Sequence, residues 1–153
     1  MVVDEGNLVP PGRRSRADVS SNLGGTSVGD TPDLPDRRGD GFVEARPWGQ
    51  FQSFVTNETV TVKIITVAPG QRLSLQRHAQ RAEMWQVLDD TPLEISVGER
   101  TWTAGLGEQI WIPVGATHRL GNRGDQPGRI LEVGFGFFDE DDIERLEDDY
   151  ARE

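Results

Sequence analysis

Between positions 46 and 137 the chain never runs far without a turn signal, and this punctuation limits the fold more than any single motif does. Short runs with β-type composition cover residues 50–56, 59–67, 72–76, 83–88, 93–97, 100–104, 109–112, 118–120 and 129–137. Between them lie Asn57-Glu58, Pro69-Gly70, Asp89-Asp90, Gly98-Glu99, Gly105-Leu106-Gly107, Pro113-Val114-Gly115 and the glycine-bounded stretch 124–128. Strands this short and this regularly interrupted pack as a sandwich or a small barrel, not as a helical bundle. An all-β fold is therefore expected, and 153 residues suffice for one domain with a real core.

The two ends read differently. Residues 1–40 carry Pro10-Pro11, Gly24-Gly25 and Leu34-Pro35 with no hydrophobic period, so a disordered arm is expected there and the folded domain over 41–153. Nine of the last fifteen residues are acidic against Arg145 and Arg152, and this tail supplies most of the net charge of −10. Asp139 can cap a helix, acids crowd its first turn, and Ile143 and Leu146 lie three apart, which predicts a short helix over 139–150.

Composition removes several chemistries. There is no cysteine, so thiolate metal sites, disulfides and cysteine nucleophiles are excluded. The acidic balance and the lack of a basic stripe argue against nucleic acid. No apolar run is long enough to span a membrane, and no leader-like stretch opens the chain, so a cytoplasmic protein is expected. Lys63 is the only lysine in a chain that otherwise uses arginine, either as a compact titratable amine or as an ordinary surface residue.

The chain has only two histidines, His78 and His118, each in a glycine-bounded strand segment. Alternation along a strand would put Ser74, Gln76 and His78 on one face, with Glu83 returning from an antiparallel neighbour and His118 arriving after the sharp 113–115 turn. Gln76, His78, Glu83 and His118 make two imidazoles, a carboxylate and an amide oxygen. That donor set suits one divalent metal ion: Zn, first in preference, or Mn, Fe, Co or Ni.

These residues stand in a known pattern. Gly107, Pro113, Gly115, His118 and Asn122 match the second cupin motif in full; Gly70, His78 and Glu83 match the first, with Gln76 at its first histidine. Arg46-Pro47-Trp48-Gly49, Leu73-Ser74-Leu75-Gln76, Arg81-Ala82-Glu83, Trp85, Glu132-Val133 and the acidic ending through Tyr150 narrow this further. Over about residues 45–152 the chain resembles the type II mannose-6-phosphate isomerase cupin, a domain that often ends bifunctional mannose-1-phosphate guanylyltransferases. Three positions at which that family usually carries histidine hold Ala79, Gln80 and Met84.

The resemblance implies a double-stranded β-helix, or jelly-roll barrel, and a homodimer that takes a small sugar phosphate. It also implies aldose–ketose isomerisation between mannose 6-phosphate and fructose 6-phosphate. In that chemistry the metal acts as a Lewis acid and a base moves a proton between C1 and C2. Glu132, between apolar neighbours, is the candidate base; Lys63 and Arg152 are candidates to stabilise charge or close the site; Ser74 and Arg81 are candidates to meet the substrate. Each of these cations serves equally well as a surface ion-pair partner. The four tryptophans read as core or dimer contacts. Two other functions remain open: a non-catalytic cupin that binds a sugar or sugar nucleotide, and an Fe(II)-dependent dioxygenase, which Gln76 as a fourth donor disfavours.

Overall fold

The computed structural model describes residues 31–152, and every regular element among them is a strand. In order they are β1 (Phe42–Arg46), β2 (Gly49–Ser53), β3 (Thr61–Val67), β4 (Leu75–Arg77), β5 (Arg81–Val87), β6 (Leu93–Val97), β7 (Arg100–Ala104), β8 (Gln109–Ile112), β9 (His118–Asn122), β10 (Gly128–Gly136) and β11 (Glu144–Glu147). One sheet has the order β3-β10-β5-β8 and the other β11-β4-β9-β6-β7, with β1 and β2 as a separate hairpin. All pairings are antiparallel. Apart from the β6–β7 hairpin, each strand from β3 onward enters the sheet opposite its predecessor. This winding closes a two-sheet barrel.

Directly opposed residues share a face, so register sorts the side chains. Val67, Trp85, Val87, Ile110, Ile112 and Ile130 from the first sheet meet Leu93, Ile95, Ala104 and Leu120 from the second in one buried core. Trp85 is its largest fully buried member, and truncating a side chain like this costs about 3–5 kcal/mol. The outer face of the four-stranded sheet carries a second core of Met84, Val133 and Phe135, covered by Leu34, Phe54, Val55 and Val60. This explains why β5 is buried at every position and shows no alternation: each of its faces has its own partner.

The expected strands over 93–97, 100–104 and 109–112 match β6, β7 and β8 end to end. The expected strand over 72–76 is shorter; regular pairing covers only β4, and Arg72 adds one isolated bridge to Gly121. β4 and β5 are not neighbours: they lie in different sheets, so Glu83 reaches His78 across the barrel and not along one ladder. β1 was not expected.

The C-terminal helix is absent. Asp139 Oδ1 does accept the Asp141 amide, as a cap would, but this turn is not propagated, and the chain runs on as β11 against β4. The acids that suggested a helix dipole instead meet arginines on neighbouring segments: Glu144 pairs with Arg77 of β4, Glu147 with Arg119 of β9 and Asp149 with Arg72 before β4. Of the expected disordered arm, residues 1–30 lie outside the described residues. Of residues 31–40, Leu34 joins the second core and Arg37 stacks on Phe135 and binds Glu58, while the others are exposed. No helix among the described residues is long and apolar enough to cross a membrane.

Candidate metal centre

The inner face of the barrel is apolar at one end and polar at the other. His78, Glu83 and His118 gather at the polar end, and their ligand atoms lie within 4.8 Å of one another. His78 follows β4 directly. Its carbonyl accepts the amide of Gly115, whose φ of 79° is one that glycine adopts at no steric cost; this ties the β4–β5 connection to the turn before His118. On the other side of that connection, the Asp142 carboxylate accepts the amides of Ala79 and Gln80. Glu83 lies on the inward face of β5, and His118 opens β9.

Both imidazoles are held in one tautomer by backbone carbonyls. His78 Nδ1 donates to the Asp142 carbonyl over 2.6 Å, and His118 Nδ1 donates to the Ala116 carbonyl over 2.9 Å. In each neutral ring Nε2 then carries the lone pair and faces Glu83, at 3.1 Å from Oε1 for His78 and 3.6 Å from Oε2 for His118. His118 Nε2 is buried and has no hydrogen-bond partner. Donors bound about 2.0–2.2 Å from a divalent ion sit at about these separations from one another, and carbonyl-fixed histidines are the usual outer support of such sites. The residues therefore fit a metal. Gln76 faces His118 across β4 and β9, and its Oε1 accepts the Ser74 hydroxyl. Ser74 is itself buried, so it orients Gln76 and does not line an open site.

A second carboxylate lies beside the cluster. Glu132 is opposite Trp85 in the β10–β5 register, and the indole N–H is shared between Glu132 Oε2 and Glu83 Oε2, at 3.1 Å from each. The two acids tend in opposite directions. Burial works to raise the Glu83 pKa, but its contacts with His78 and His118 and the Arg81 hydrogen bond outweigh it and hold this carboxyl well below its ordinary range. For Glu132, burial followed by repulsion from Glu83 pushes the pKa up to about 7, against Lys63, Arg81 and the Trp85 hydrogen bond. Burial lowers the His118 pKa, favouring the neutral ligand form.

The segment after β10 covers this end of the barrel. The Phe138 ring lies on Gly134, where any Cβ would come within 3.1 Å of it, and takes Arg81 and Lys63 at 4.3 and 4.5 Å from its centroid. Lys63 faces Glu132 in register and is ion-paired to Glu140. Arg81 binds Glu83, His78 and the carbonyls of Asp139 and Asp142. Under this strap His78, Glu83 and His118 are at most 2% exposed. A cleft of about 530 Å³ opens beside it; it touches His78 and is lined by Asp141, Asp142 and Glu144 against the single cation Arg77, a balance that disfavours an anionic group.

Of the candidate residues, Gln76, His78, Glu83, His118, Glu132, Lys63 and Arg81 all project into this end of the barrel. Arg152 does not: it is paired to Asp148 and lines a separate shallow depression with Thr66, Gln71 and Tyr150. Sequence reasoning missed the roles of Asp142, Phe138 and the Trp85 N–H. It also missed Arg145, which shares the inward row with Gln76 and His118 and has a buried Nε without a hydrogen-bond partner. Reading 139–150 as a helix hid that alternation. Asn122 of the second motif is structural: its side chain ties Val67, Gln126 and Gly124 into one turn.

Residues 42–148 match the family model described as mannose-6-phosphate isomerase C-terminal. The alginate biosynthesis protein AlgA of Pseudomonas aeruginosa is 44% identical over 108 residues, which are 70% of this chain and 22% of that protein. The mannose-1-phosphate guanylyltransferase ManC of Salmonella typhimurium is likewise 44% identical over 108 residues, with the same shares. The chain thus spans under a quarter of the length of these relatives. Among solved structures, a conserved protein with a double-stranded β-helix domain from Klebsiella pneumoniae superposes with a TM-score of 0.51 at 19% identity, over 57% of this chain and 75% of that one. That likeness bears on the fold alone, which is the cupin barrel.

Proposed function

The chain belongs to the mannose-6-phosphate isomerase C-terminal family, and from that premise we propose that it is a metal-dependent cupin that interconverts mannose 6-phosphate and fructose 6-phosphate. One observation carries the reading: two buried carboxylates share the Trp85 N–H, Glu83 held ionised among the imidazoles and Glu132 poised near neutrality beside it. Pairs of acids driven apart in this way commonly divide ligand and proton-transfer roles.

His78, Glu83 and His118, with Gln76 as a fourth donor, would hold a divalent metal, which would supply Lewis acidity at the sugar's carbonyl and hydroxyl oxygens. Glu132, buried beside the cluster, would take the proton from C2 and return it at C1, while the O2 hydroxyl proton passes to O1. Trp85 keeps the Glu132 carboxylate turned inward. Arg145 and Lys63 hold the phosphate, which requires Glu140 to release Lys63 and the strap to lift. The chain works as a homodimer, which the exposed apolar residues of β1–β3 support.

The missing histidines weigh less than the sequence suggested. Met84 faces outward into the second core, and Ala79 and Gln80 are exposed at the rim. The decisive experiment loads the purified chain with Zn²⁺, Mn²⁺, Fe²⁺, Co²⁺ or Ni²⁺ and follows both sugar phosphates in a coupled assay. Turnover that His118→Ala abolishes is expected. Sugar-phosphate binding without turnover would make the chain a binding module, and oxygen consumption with iron would make it a dioxygenase.

A further inference from the structure

His78 Nε2 has one in-plane lone pair, and Arg81 already uses it. Arg81 Nη2 donates to this nitrogen over 3.1 Å, and Arg81 Nε donates to Glu83 Oε1 over 2.9 Å. Arg81 is 5% exposed, its Nη1 reaches the Asp139 and Asp142 carbonyls at 3.0 and 3.3 Å, and its guanidinium stacks on Phe138. A ring nitrogen accepts one hydrogen bond or binds one metal, not both. Glu83 Oε1 has a second lone pair, so that contact can persist with a metal bound.

We propose that Arg81 is the resident cation of the metal-free site, and that a divalent metal binds His78 only as Arg81 Nη2 withdraws from it. This rests on the metal reading of His78, Glu83 and His118. Without any cation, a buried carboxylate would face two imidazole lone pairs, a costly arrangement away from water. The guanidinium keeps the donor atoms assembled until a metal replaces it. The exchange also leaves Arg81 with a freed donor inside the barrel, available to an anionic group of the substrate. Metal loading and recruitment of that group are therefore coupled through one side chain.

The test compares wild type with Arg81→Met and Arg81→Lys. Each is stripped with chelator and titrated with Zn²⁺ by calorimetry, with thermal unfolding recorded before and after. Arg81→Met should melt lower without metal, bind Zn²⁺ about tenfold more tightly, as loss of a competing charge-assisted hydrogen bond implies, and show a larger metal-induced rise in Tm. Arg81→Lys retains the charge but not the two-pronged fork, and should also bind more tightly. Equal or weaker binding by Arg81→Met overturns the inference and leaves the metal reading standing. Tightening in Arg81→Met with Arg81→Lys at the wild-type value also overturns it, assigning the effect to charge alone. Zn²⁺ bound by none of the three removes the metal reading and this inference together. Where Arg81→Met does not hold its fold without metal, Arg81→Lys decides by the same comparison with wild type.

Discussion

Glu83 and Glu132 receive the same indole N–H, yet only one of them needs it as an anion. Glu132 has its pKa raised from the ordinary 4.5 to about 7, first by burial and then by the Glu83 charge. A raised folded-state pKa means that its stabilising contribution is fully present below about pH 4.5 and is lost as pH climbs through about 7. Glu132→Gln mimics the protonated form at every pH. In chelator-treated protein it should be comparable to wild type at pH 4.5 and more stable than wild type at pH 8, by on the order of 1–3 kcal/mol. Urea unfolding at the two pH values checks this; a difference independent of pH would mean that folding does not shift the Glu132 pKa. His118 poses a different question, because its Nε2 is buried without a partner. His118→Ala should weaken Zn²⁺ binding by more than about a hundredfold, beyond the loss typical of groups that only orient a ligand. An unchanged calorimetric affinity would place the metal elsewhere.

The strap from Phe138 to β11 shows what a sequence reveals about elements and what it conceals. β6, β7 and β8 were readable to the residue because glycine or acidic turns bound them and one face of each is wet. His78, Glu83 and His118 were readable because the spacing of the motif residues survives. The strap was not: its pattern of acids suits a helix N-terminus, and only the tertiary positions of Arg72, Arg77 and Arg119 reveal that the acids serve cross-strand pairs. Exposed pairs of this kind are individually weak and are screened by salt. The firmer anchor is Asp142, whose carboxylate takes two amides of the β4–β5 connection while its carbonyl takes His78 Nδ1. Asp142→Ala should cost about 0.5–1.5 kcal/mol in unfolding free energy, because the two amides it releases are exposed and can bind water instead. Limited proteolysis should then cut within 138–147 before the barrel unfolds. A variant as resistant as wild type would show that the ion pairs alone hold the strap.

At the scale of the whole molecule, the barrel buries its inner face well but leaves apolar side chains exposed on β3 and on the β1–β2 hairpin. Val62 and Ile64 on the outer face of β3 are more than half exposed, as are Val43 on β1 and Trp48 at the β1–β2 turn. β3 is also an edge strand, paired only to β10. An apolar edge left open invites pairing with another chain, and proteins that keep such edges single usually guard them with charge. Lys63 does not guard this one, because it points inward toward Glu132. A second copy of the chain suits the surface, since a two-fold axis would let the hairpin of each protomer cover the β3 face of the other. Sedimentation equilibrium should then report a dimer, and Ile64→Glu, which reverses the character of the patch without touching either core, should raise the dimer dissociation constant at least about tenfold. A wild-type chain that sediments as a monomer at every concentration would leave this face to some other partner. A dimer indifferent to Ile64→Glu would put the two-fold axis on another surface.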